Sequence, residues 1–114
     1  MSLTALERAV LAWFADRAGS RALRVQCETA SALDRTYTGP GQVTKLQCAP
    51  SAPVAQLPTD CVLNAPLIES PVLPHGAGTD LWLENGRIAE LEIVTFGGTE
   101  LPKEPFQFQL VEAL

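Results

Sequence analysis

The chain has 114 residues, of which 46% are hydrophobic and 18% charged, a length for one folded domain spanning 1–114 and a composition that excludes a disordered chain. Net charge is −5, split between +2 over residues 1–45 and −7 over residues 46–114; so acidic a second half excludes nucleic acid and anionic membrane as partners and leaves room for a basic protein. No apolar run approaches the roughly 20 residues of a membrane helix, and Glu7 and Arg8 stand where a secretory leader is apolar, so the expected location is the cytoplasm, with thiols reduced.

The first element reads as a helix. In TALERAVLAWFADRAG, Thr4 and Glu7 have capping-box spacing, and Leu6, Val10, Trp13, Phe14 and the stem of Arg17 form one stripe. Gly19 stands where a helix end favours glycine. After it, RALRVQCETAS alternates Leu23, Val25 and Cys27 against Arg24, Gln26 and Glu28, which predicts a half-buried strand with Cys27 as a small core residue. Gly39-Pro40-Gly41 predicts a turn, and Gln42 to Cys48 a second strand with Thr44, Leu46 and Cys48 on one face.

From Pro50 to Gly78 the chain holds six of its nine prolines, which forbid helix and central strand alike. Apolar residues such as Val54, Leu57, Val62 and Ile68 still mark it as ordered, with short edge strands expected near Cys61–Leu63 and Leu67–Glu69. Cys48 and Cys61 could pair only under oxidising conditions.

Asp80 to Pro102 predicts a hairpin turning at Asn85-Gly86. A two-residue turn mixes Leu81 and Leu83 with Glu90 and Glu92 on one face. A three-residue loop with a bulge at Gly86 pairs Leu83 with Arg87 and Leu81 with Ala89, and so separates them. Leu81, Leu83, Ala89, Leu91 and Ile93 then face the core, while Trp82, Glu84, Ile88, Glu90 and Glu92 face out; the cleaner separation selects this register. Gly97-Gly98 ends the strand, and Phe106, Phe108 and Leu110 alternate with Gln107 and Gln109 in a last strand. The sum is α+β: one N-terminal helix on a curved, mostly antiparallel sheet of four to six strands.

Chemistry is sparse. Three cysteines with no CxxC and a single histidine offer no metal-ligand spacing, and no phosphate loop or dinucleotide fingerprint occurs; no metal and no cofactor are expected. His75, in HGAG, reads as a loop residue, because the G-x-S-x-G elbow that would accompany an esterase oxyanion loop is missing. Glu90 and Glu92 project side by side, roughly 6.6 Å apart along the strand. A catalytic acid needs an apolar pocket that a solvated sheet face does not supply, so they read as charges that keep an exposed sheet from sticking. Trp82, with Ile88 and Phe96 beside Glu84, Glu90 and Glu92, has two accounts: an interface, or a patch covered by a loop or the proline-rich segment.

The strings YTGPGQVTKL and HGAGTDLWLENGRIAELEIVTFGGTELP resemble a family of small bacterial proteins of unknown function. Its pattern falls here on Tyr37, Thr38, Gly39, Gly41, Gly78, Gly86, Leu91, Glu92, Thr95, Gly97 and Pro102. The likeness covers about half the chain and departs at Thr79, where the family has an aromatic, and in the proline-rich middle. It implies a small α+β domain of the bacterial cytoplasm and no reaction. Two functions are carried forward. The favoured one is a non-catalytic interaction module, either self-associating as a homodimer or presenting an acidic face to a basic partner. The other is a ligand-binding or enzymatic domain with a pocket near Tyr37, His75 and Glu92.

Overall fold

The structure, a computed structural model, describes residues 1–56, 60–64 and 66–112. Helix α1 (Ala5–Arg17) starts as its sequence dictates: the Thr4 hydroxyl accepts the Glu7 N–H at 3.1 Å, and Glu7 Oε1 accepts the Thr4 N–H at 2.8 Å. A third free donor, the Leu6 N–H, reaches Glu104 Oε1 at 3.1 Å. Leu6, Val10, Leu11, Phe14 and Ala15 are buried, whereas Trp13 is half-buried with the Arg17 guanidinium 3.3 Å from its ring centroid. The helix closes at Ala18, and Gly19 follows with φ 64.

Residues 21–28 are a second helix, α2 (Arg21–Glu28), where twofold alternation predicts a strand. Leu23, Gln26 and Cys27 are the buried positions, an i, i+3, i+4 set that fits the sequence as well as alternation does. Local chemistry decides between them. The Ser20 hydroxyl accepts the Leu23 N–H at 3.2 Å, so Gly19-Ser20 ends one helix and starts the next.

Seven strands follow among the described residues: β1 (Ser31–Tyr37), β2 (Gly41–Gln47), β3 (Asp60–Asn64), β4 (Leu67–Ser70), β5 (Leu73–Glu84), β6 (Arg87–Thr95) and β7 (Gln109–Val111). They form one antiparallel sheet in the order β1-β2-β6-β5-β4-β7, with β3 also on β5. The twelve-residue β5 is long enough for two short strands to share one of its edges: β3 lies along residues 80–84, and β4 along residues 73–77. Strand β1 takes the place of the strand expected at 21–28 and pairs with β2, and the sheet exceeds the expected four to six strands because both short edge strands, β3 and β4, form. His75 lies inside β5, not in a loop. The last strand is shorter than its alternation suggests, and Phe106 and Phe108 stack edge-on, half-buried, before it begins. Leu57 and the side chain of Cys61, with its pairing to Cys48, lie outside the described residues.

The hairpin solves the conflict of registers in a way neither sequence reading contains. Asn85 (φ 54) and Gly86 (φ 76) make a two-residue turn that pairs Glu84 with Arg87 and Leu83 with Ile88. Ala89 is then extra: the register slips, so that Trp82 faces Glu90 and Leu81 faces Leu91. Turn chemistry wins at the tip, and separation of oil from charge wins beyond it. The bulge sits at Ala89, not Gly86, and Ile88 turns inward, 3% exposed, against the prediction that it faces out. Leu81, Leu83, Ile88, Leu91 and Ile93 join Leu6, Val10, Phe14 and Leu23 in one core, so both helices lie on the same face of the sheet.

Candidate functional site: the open face of the sheet

Register places the outward residues in rows across the strands. One row runs Asp34, Lys45, Glu90, Trp82, Val62; the next runs Thr36, Val43, Glu92, Asp80, Asn64. Beyond them Val94 stands opposite Gly78. The missing side chain of Gly78 lets Phe96 lie over the sheet, with its Cζ 3.0 Å from where a Cβ would stand. Trp82, Val94 and Phe96 are 43%, 37% and 44% exposed. Among the described side chains the face around them carries five carboxylates (Asp34, Asp80, Glu84, Glu90 and Glu92) against Lys45 and Arg87. Asn64 donates a short hydrogen bond to Asp80. Glu90 and Glu92 are half-buried among neighbours, and neither lines any of five clefts in the described residues.

On the covered face lies the one charged group buried in the core among the described residues, which the sequence presents only as a capping residue. Glu7 is 0% exposed. Its Oε1 accepts from Arg35 Nη2 at 2.6 Å, and its Oε2 from Arg35 Nε at 2.8 Å, Gln42 Nε2 at 2.7 Å and the Thr44 hydroxyl at 2.5 Å. Burial alone would push the carboxyl up; the bonds from Arg35, Thr44 and Thr4, with the Arg35 charge, outweigh it and hold it below the ordinary carboxylate value. Every acceptor site is filled, so the network positions α1 on β1 and β2 and offers no free group for chemistry. The signal lay in the alternation of Gln42 and Thr44, polar residues on an inward face.

The three residues of the candidate pocket are not gathered into one. Tyr37, 57% exposed, ends β1 on the edge of the sheet. Glu92 sits mid-sheet on the outer face, opposite Val43 and Asp80. His75 lies against Gly97 and lines a cleft of about 390 Å³ with Glu69, Ser70 and Phe96, which includes neither Tyr37 nor Glu92. Among the described residues no group of three or more His, Cys, Asp or Glu could hold a metal ion, and no helix is long and apolar enough to cross a membrane. No protein-family model matches the chain, and searches of curated proteins and of solved structures return no similar protein.

Proposed function

We propose that the protein is a non-catalytic interaction module that docks a basic protein partner on the open face of its sheet, with Trp82 at the centre of the contact. The observation that supports this reading is the exposure of Trp82, Val94 and Phe96 within a field of carboxylates, on the sheet face opposite the one that α1 and α2 cover. Aromatic anchors ringed by charge are the composition of docking surfaces. The same charge disfavours a symmetric dimer through this face, since two copies would set like carboxylates against each other.

The test is capture on immobilised protein, with the retained partner identified and its charge read from its sequence. The expected partner is basic, is released by salt, and is lost to both Trp82→Ala and the Glu90→Lys/Glu92→Lys pair. Sedimentation of the free protein should give a monomer. Partners that bind both variants as tightly as the wild type would overturn the reading, as would a dimer dissolved by Trp82→Ala.

A further inference from the structure

We infer that the segment this protein recognises is an extended strand, with apolar and basic residues in alternation, that adds to the free edge of β3. The inference rests on the interaction reading above and specifies its geometry. Three observations converge. First, among the described residues β3 pairs only with β5 and no strand bonds to its second edge. Edges of this kind accept a further strand through main-chain hydrogen bonds.

Secondly, an apolar groove of about 460 Å³ opens beneath that edge, walled by Trp13, Phe14, Leu23 and Leu63. Its rim charges, Arg17 and Glu112, pair with each other at 3.4 Å, so the groove presents no net charge and suits an uncharged, apolar side chain. Thirdly, Val62 faces outward beside Trp82, with Asp80, Glu84 and Glu90 around it. An added strand would lie two strand spacings, about 9–10 Å, from β5, a span that lysine and arginine side chains reach across. Alternate residues of one strand point to opposite faces. The added strand therefore sends apolar residues into the groove and cations over the carboxylates, and the five residues of β3 accommodate a segment of similar length.

The probe is a blocked hexapeptide of alternating leucine and lysine, titrated into the full chain with backbone amide resonances as the readout. Two N-methylated isomers, at odd or at even residues, and a glutamate-for-lysine version serve as controls. Expected are shifts at Val62 to Asn64, new exchange protection of those β3 amides that do not bond to β5, and binding by one N-methyl isomer only. Replacing lysine by glutamate, or Trp13→Ala in the protein, should weaken binding about tenfold or more.

Binding by both isomers, with shifts confined to Trp82 and Glu90, overturns the edge and leaves the face as a flat docking surface. Unshifted β3 amides, or β3 amides all protected before peptide is added, also overturn it. The broader reading then stands or falls on its own captured partner.

Discussion

At the scale of single residues, Glu7 concentrates more of the structure than any other side chain. It caps its own helix, and its carboxylate gathers three side chains from β1 and β2 in a site closed to water. Arg35→Met would leave that charge buried without a counter-ion and should cost about 3–5 kcal/mol in denaturant unfolding. Because the folded-state carboxyl is held below its usual value, its contribution is complete above the ordinary pKa of 4.5 and drains away as pH falls through the lower folded-state value. The stability gap between wild type and Glu7→Gln should therefore narrow as unfolding is measured at successively lower pH; a gap that widens on acidification would refute the assignment. Cys27 is a second group set by burial, with the nearby Cys48 and Glu28 adding to it; its thiol is pushed up to about 12. Alkylation followed by peptide mapping should label the half-buried Cys48 in the native protein and Cys27 only in denaturant.

Among elements, α2 is the one that alternation misassigns, and the residue responsible is Gln26. A strand would have turned it to water. In the helix it is fully buried, and its side chain donates to the Pro53 carbonyl at 2.8 Å and the Gly86 carbonyl at 2.9 Å while accepting the Ile88 N–H at 2.9 Å. One amide thus ties α2 to the hairpin tip and to the proline-rich segment. Gln26→Leu would strand the Ile88 donor and the Pro53 carbonyl, and should cost about 2–4 kcal/mol with faster amide exchange at residues 86–88. Gly86 is fixed twice over: its φ is 76, and a Cβ there would lie 2.4 Å from Val54 Cγ1 and 2.8 Å from the Ala55 carbonyl. Gly86→Ala should destabilise by more than about 1 kcal/mol, since strain and overlap act together. The turn dipeptide was legible for this reason, whereas the bulge at Ala89 was not: it depends on neighbours that β2 and α2 bring from elsewhere in the chain.

For the molecule as a whole, what could be read in advance was whatever short-range patterns decide. The capping box of Thr4 and Glu7, the turn at Gly39, the place of the hairpin turn at Asn85-Gly86 though not its expected three-residue loop, and the inward set Leu81, Leu83, Leu91 and Ile93 stand as their sequence implies. What could not be read was pairing over long separations, as of β7 with β4 and of the N-terminal helix with β1 and β2, and the choice of which polar residues go inside. Whether Tyr37, His75 and Glu92 share a cleft was illegible for the same cause, because it depends on strand order and register; the cleft that His75 lines includes neither of the others. With the helices on one side only, the outward set is uncoupled from folding. Trp82→Ala should then shift unfolding stability by less than about 1 kcal/mol while abolishing partner capture; a larger loss would mean that Trp82 belongs to the scaffold. A saturation survey scored for protein abundance would show the division as a rhythm, intolerant at Leu91 and Ile93 and permissive at Glu90 and Glu92. That beat should skip once on β6, at Ala89, where the inserted residue sets Ile88 and Leu91 three apart on the same intolerant side.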